Sequence, residues 1–169
     1  MAFPTDNTYF RRFLEECLMR PTATGGDRSP NLTGTTIKCA VYKANFTGSG
    51  YNLDTDVGYI AASAWINATY EVPIAGSYDP GGVLLNQAAT MARGSTAAGS
   101  IMTWGQSGIY AAWTADTWQT TDAGEFAMVY DNGPTTNKWG IVAINIPTIS
   151  PNGGASSITW SSGILTMNG

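Results

Sequence analysis

The sequence predicts a mainly β protein: an antiparallel β-sandwich or barrel-like domain with one amphipathic α-helix at its N-terminus. Three observations predict it. Short apolar runs rich in Val, Ile, Tyr, Phe and Trp recur roughly every ten residues. Clusters of turn residues separate them, as at Ser77-Tyr78-Asp79-Pro80-Gly81-Gly82, Gly105-Gln106-Ser107-Gly108 and Asp131-Asn132-Gly133-Pro134. A helical period is clear only near the start. At 169 residues the chain is about one domain, with the helix over residues 5–20 and the sheet over 35–169.

In the helix, Asp6 or Asn7 supplies a cap. Phe10, Phe13, Leu14, Cys17 and Leu18 then form one apolar stripe, and Pro21 stops the segment. Thr35 to Lys43 reads as a strand with Ile37, Cys39 and Val41 on one face. Phe46 to Gly58 reads as a loop. Tyr59 to Ala68 fits a short helix or an irregular segment, and Thr69 to Ile74 a strand ended by Pro73. Strands are expected at Val83–Gln87, and at Ile101–Trp104 and Ile109–Trp113 around the Gly105-Gln106-Ser107-Gly108 turn. Arg93 to Ser100, made of small residues, reads as a flexible loop.

The strongest signal lies between Glu125 and Ile146. Phe126-Ala127-Met128-Val129-Tyr130 and Trp139-Gly140-Ile141-Val142-Ala143-Ile144-Asn145-Ile146 flank a Gly/Pro/Asn turn, the pattern of an antiparallel hairpin. Apolar residues on both alternating faces of the first run place it centrally, covered above and below. A second hairpin is expected from Ile158-Thr159-Trp160 and Ile164-Leu165-Thr166-Met167 across Ser161-Ser162-Gly163.

Composition narrows function mainly by exclusion. Charged residues make up 12% of the chain, about half the usual share, and the net charge is −4. No basic stripe exists to neutralise phosphates, which argues against nucleic-acid binding. No apolar run approaches the ~20 residues a membrane span needs, and the N-terminus lacks a signal-peptide pattern. There is no histidine, the commonest general base and metal ligand. Asp54-Thr55-Asp56 invites a calcium reading but lacks the rest of an EF-hand loop. The carboxylate pairs Asp116/Asp122 and Asp54/Asp56 are no more than twelve acids supply by chance. We therefore expect no enzymatic activity, no cofactor and no metal. Cys17 and Cys39 read as two buried thiols, with a disulfide open but not implied.

The candidate contact residues are apolar. The helix stripe offers Phe10, Phe13, Leu14 and Leu18 to the chain's own sheet or to a neighbouring subunit. Trp104, Tyr110, Trp113 and Trp118 fall close together, in the core or a subunit interface. If exposed, the same aromatics suit a lectin-like, carbohydrate-binding module.

Several motifs run in a recognisable order. They are Ile37-Lys38-Cys39-Ala40-Val41, Tyr78-Asp79-Pro80-Gly81-Gly82-Val83-Leu84-Leu85, the Phe126–Asp131 and Trp139–Ile144 runs, Ser150-Pro151-Asn152-Gly153-Gly154, and Ile158-Thr159-Trp160 with Gly163-Ile164-Leu165. From about Phe10 to Met167 the chain resembles a group of small structural proteins of tailed bacteriophages, departing from it at Arg93 to Gly108. The matching motifs are turns and strand starts, with no active-site specificity. The resemblance implies a virion protein made in the host cytoplasm, most simply a capsid decoration (cement) protein on the outer surface of the head. Its expected partners are the major capsid protein or other virion subunits, and a homo-oligomer such as a trimer. A tail or head-fibre component is the alternative. An acidic chain would sit poorly against packaged DNA, which favours the outside of the shell.

Overall fold

The computed structural model describes residues 8–9, 32, 35–48, 51–53, 58–59, 65–66, 69–72, 78–86, 91–96, 99–105, 108–113, 123–133, 138–149, 153–160 and 164–168. These residues are mainly β, in antiparallel sheets, and no α-helix occurs among them. The strands are β1 (Thr8–Tyr9), β2 (Ile37–Lys43), β3 (Val83–Leu84), β4 (Met91–Thr96), β5 (Gly99–Trp104), β6 (Ile109–Trp113), β7 (Gly124–Asp131), β8 (Gly140–Ile149), β9 (Ser156–Trp160) and β10 (Leu165–Asn168).

The largest sheet has the order β1-β8-β7-β2-β3. Its middle is the expected hairpin, β7 and β8, with Met128 opposite Ala143 and Val129 opposite Val142. On the other side β7 pairs with β2, Cys39 lying against Val129. A strand with neighbours on both edges satisfies its own backbone groups, and apolar side chains then cover its two faces. Phe126 through Asp131 are accordingly all buried. Asp131, the polar member of that run, closes the turn. Its Oδ1 accepts from Thr36 Oγ1 at 2.7 Å and from the Gly133 N–H at 2.9 Å, and its own N–H donates to the Trp139 carbonyl at 2.9 Å. In β2, Ala40 and Tyr42 are as buried as Cys39 and Val41, so both faces of this strand are covered, not one.

Several sequence expectations change. Thr8 and Tyr9, placed in the helix by periodicity, are extended and pair with Ala143 and Val142; the rest of that helix lies outside the described residues. The expected loop at Arg93–Ser100 is instead a hairpin, β4 with β5, in register from Met91 opposite Trp104 to Thr96 opposite Gly99. Its small residues carry no apolar alternation, so only the backbone ladder reveals it.

A further correction concerns the expected C-terminal hairpin. β6 does not fold back on β5, nor β10 on β9. Instead β5 pairs with β10 and β6 with β9, and both ladders keep one register: Trp104 faces Leu165 and Ile109 faces Trp160. The first ladder ends at Trp104 opposite Leu165 and the second begins at Ile109 opposite Trp160, in the same register. The Ile164 N–H donates to the Trp104 carbonyl at 2.8 Å, and the Gly108 N–H to the Trp160 carbonyl at 3.1 Å, one bond at each ladder end. Gly105 and Gly108 have φ of 83° and 80°, left-handed values that glycine adopts without steric cost.

The expected loop after β2 contains a 3-10 helix, Ala44–Gly48. It turns Phe46 inward against Tyr42 and Trp65 (ring centroids 4.6 Å away in each case) and Tyr51 (5.1 Å). Of the expected strand at Thr69–Ile74, residues 69–72 are described, and they hold a bridge between Glu71 and Tyr42. Asp54-Thr55-Asp56 lies outside the described residues.

Candidate interaction surface

Trp104 and Trp113 resolve as core. Both are buried; Trp104 Nε1 donates to the Leu32 carbonyl, and the Trp113 ring lies 6.0 Å from that of Tyr78. Neither presents an open face to a partner or a sugar, which corrects their reading as contact residues. The alternation of a half-covered strand explains why. Along β6, Ile109, Ala111 and Trp113 point inward while Tyr110 and Ala112 point out. Tyr110, 40% exposed, is the aromatic of this group that reaches the surface. Phe10, Phe13, Leu14, Leu18 and Trp118 lie outside the described residues.

The outer face of the β6/β9 pair is uncharged. Tyr110 stands opposite Thr159 and Ala112 opposite Ser157, all four exposed. With Ala155 and Ser156 they line a shallow open groove of about 320 Å³ whose floor includes Trp113. β3 lies beside β6. The Tyr110 N–H donates to Asn86 Oδ1 at 2.7 Å, and the Asn86 N–H returns a bond to the Tyr110 carbonyl at 2.9 Å. Two residues before Asn86, Leu84 is 51% exposed, a second apolar side chain at the surface. The β6/β9 part of this surface loses little on desolvation, since it carries no charge to strip of water, while half-buried Lys38 stands opposite Leu84.

Behind β3 sits a cluster that sequence reasoning missed. Glu71 is buried, and its carboxylate is met by three neutral donors: Tyr78 Oη (2.6 Å) and the Gly81 N–H (2.6 Å) at Oε1, and Tyr59 Oη (2.9 Å) at Oε2. Tyr78 Oη also accepts the Val41 N–H at 3.0 Å, and Tyr130 Oη donates to the Gly81 carbonyl at 2.7 Å. Tyr59 and Tyr130 stack at 5.0 Å, with Lys138 Nζ 5.5 Å from the Tyr59 ring centre. Burial pushes the Glu71 carboxyl above its ordinary value, against the lowering effect of its hydrogen bonds and of Lys38. The available signal was an acid inside an apolar alternation, Tyr70-Glu71-Val72, whose donors come from distant segments.

Cys39 is a free thiol buried between β3 and β7, and burial pushes it up to about 12. A thiol held neutral and covered does not attack. In a Cys17→Ser background, Cys39 is expected to resist Ellman's reagent in the native protein at pH 8 and to react within minutes in 6 M guanidinium; fast native labelling would contradict this burial.

Among the described residues no group of three His, Cys, Asp or Glu side chains could hold a metal ion, and no helix is long and apolar enough to cross a membrane. Compared with family models, curated proteins and solved structures, the chain matches none.

Proposed function

We propose that this chain is a structural protein of a tailed-phage virion, a sandwich-like brick that binds the outer face of the capsid as a decoration protein. The observation carrying the proposal is the uncharged surface at Tyr110, Ala112, Ser157 and Thr159 with Leu84 beside it. It joins the phage-like order of strand and turn motifs and a chain of unusually low charge. A neutral, partly apolar surface suits contact with a repeating protein lattice, where shape matters more than charge pairing. Each contact is modest alone, and copies linked as an oligomer would add their affinities through effective concentration. A tail or head-fibre location is the alternative, which electron microscopy of labelled virions separates. The lectin-like reading loses Trp104 and Trp113 as stacking faces because both are buried.

Purified protein should bind expanded, undecorated capsids and raise their melting temperature. Leu84→Glu and Tyr110→Asp should each weaken that binding at least tenfold while changing the chain's own stability by no more than ~0.5 kcal/mol. Wild-type protein that neither binds such capsids nor shifts their melting would sink the proposal.

A further inference from the structure

We propose that the outer edge of β9 is a self-association site, where it pairs antiparallel with β9 of a second copy of this chain about a two-fold axis at Ile158. The pairing stands on strand geometry and goes beyond the contact-surface reading above. Only its consequence for lattice binding rests on that reading.

A sheet edge presents a row of N–H and C=O groups ready to pair, and proteins blunt such edges with short strands, charge, proline or a cover. Most edges here carry such a device. β1 and β3 are two residues long. Beyond its pairing with β1 at Val142 and Ala143, β8 carries Pro147, which has no N–H to offer. β4 carries Arg93. The β6 edge is met by Asn86, whose side chain and backbone bond the N–H and carbonyl of Tyr110. β9 has none of these. It is five residues long, Ser-Ser-Ile-Thr-Trp, without charge or proline, and among the described residues no strand pairs with its outer edge. β10, four residues long, is similarly bare, but β9 is the strand that adjoins the uncharged face.

Charge identifies the occupant. A two-fold axis brings residues near their own copies, so a charged edge strand repels itself. No charged residue follows Lys138, and β9 therefore meets its copy without like-charge repulsion. The register follows from length and face. With Ile158 opposite itself, all five residues pair: Ser157 faces Thr159 of the second copy, and Ser156 faces Trp160. A slip of one residue would turn the two faces over, and a slip of two would leave residues unpaired. Half-buried Ile158, on the same face as buried Ala111, then covers its counterpart.

Pairing joins the two β6/β9 ladders into one sheet of order β6-β9-β9-β6. Tyr110 and Thr159 then share a row with Ser157 and Ala112 of the second copy, and the symmetric row lies beside it. The uncharged outer face runs unbroken through both copies, so a dimer offers a lattice two linked contacts in place of one. Two five-residue strands make a small interface, and the dissociation constant is expected on the order of 10 µM.

Sedimentation velocity of the full chain from about 1 to 200 µM tests the pairing. The wild type should pass from monomer to dimer across that range. The double variants Ser157→Lys/Thr159→Lys and Ser157→Glu/Thr159→Glu set like charges opposite one another at the axis. Each should weaken dimerisation at least tenfold and keep the wild-type urea midpoint, since both positions are exposed. Mixed in equal amounts, the two variants should recover a heterodimer, tighter at low salt than at high. Loss of folding, or association through another surface, would not give that recovery. A wild type that stays monomeric, charged variants that dimerise as before, or a mixture that stays monomeric would each overturn the pairing. Wild-type dimers that fail to bind capsids overturn the contact reading alone. Capsid binding by a strictly monomeric wild type overturns the pairing alone.

Discussion

Gly82→Ala is expected to unfold the protein or lower its stability by about 4 kcal/mol or more, the largest single-residue effect we anticipate. Two costs combine. Gly82 has φ of +71°, a left-handed conformation that costs an alanine about 1–2 kcal/mol by itself. A Cβ there would also run into the Cys39 carbonyl group, with Ala40 Cα 2.7 Å away, and both are backbone of β2. Backbone in a paired strand cannot step aside as a flexible side chain does, so the turn and β3 must detach instead. Gly108→Ala is the matched control. Its φ is +80°, but nothing lies within 4 Å of the added methyl, so about 1 kcal/mol is expected from strain alone. Urea denaturation of the two variants separates steric conflict from conformational strain. Equal losses would show that the Gly82 turn does not pack on β2 as described.

Phe46→Ala should cost about 3–5 kcal/mol. Phe46 is fully buried and lies against Tyr42, Tyr51 and Trp65, with Tyr70 edge-on at 6.1 Å. Truncation leaves a cavity walled by rings, which cannot collapse into it without breaking their own contacts. One of those contacts is the hydrogen bond from Tyr42 Oη to the Trp65 carbonyl at 3.1 Å. Phe46→Leu refills most of the volume and should cost well under half as much. A shift of the urea midpoint corresponding to less than ~1 kcal/mol for the alanine variant would mean that the short helix at Ala44–Gly48 is not anchored in the core.

Where hydrophobic pattern and turn chemistry were strong, the sequence alone located structure correctly. The β7–β8 hairpin, its Asp131-Asn132-Gly133 turn and its central position were all readable from an apolar run without a polar face. The Asp79–Gly82 turn was readable from its two glycines, both of which have positive φ. The contact surface was half legible. The aromatic concentration around Trp104–Trp113 was plain, but which rings face outward depends on strand phase against the sheet, and only Tyr110 of the described three does. Phe46 looked like a loop residue because a single inward aromatic in a 3-10 turn has no periodicity to announce it.

The amino-acid order by itself determined a chain of low charge, rich in short strands, with one hairpin unmistakable, because alternation and turn residues are local properties. Partner choice belonged to the tertiary structure. Strands separated by a glycine turn alternate identically whether they fold back on one another or bend together along a distant pair, and here β5–β6 chose β10 and β9. The Glu71 cluster is the same lesson in side chains. Its donors at Tyr59, Tyr78 and Gly81 meet the carboxylate only after the sheet has drawn their segments together, since hydrogen bonds form across space and leave no spacing to read.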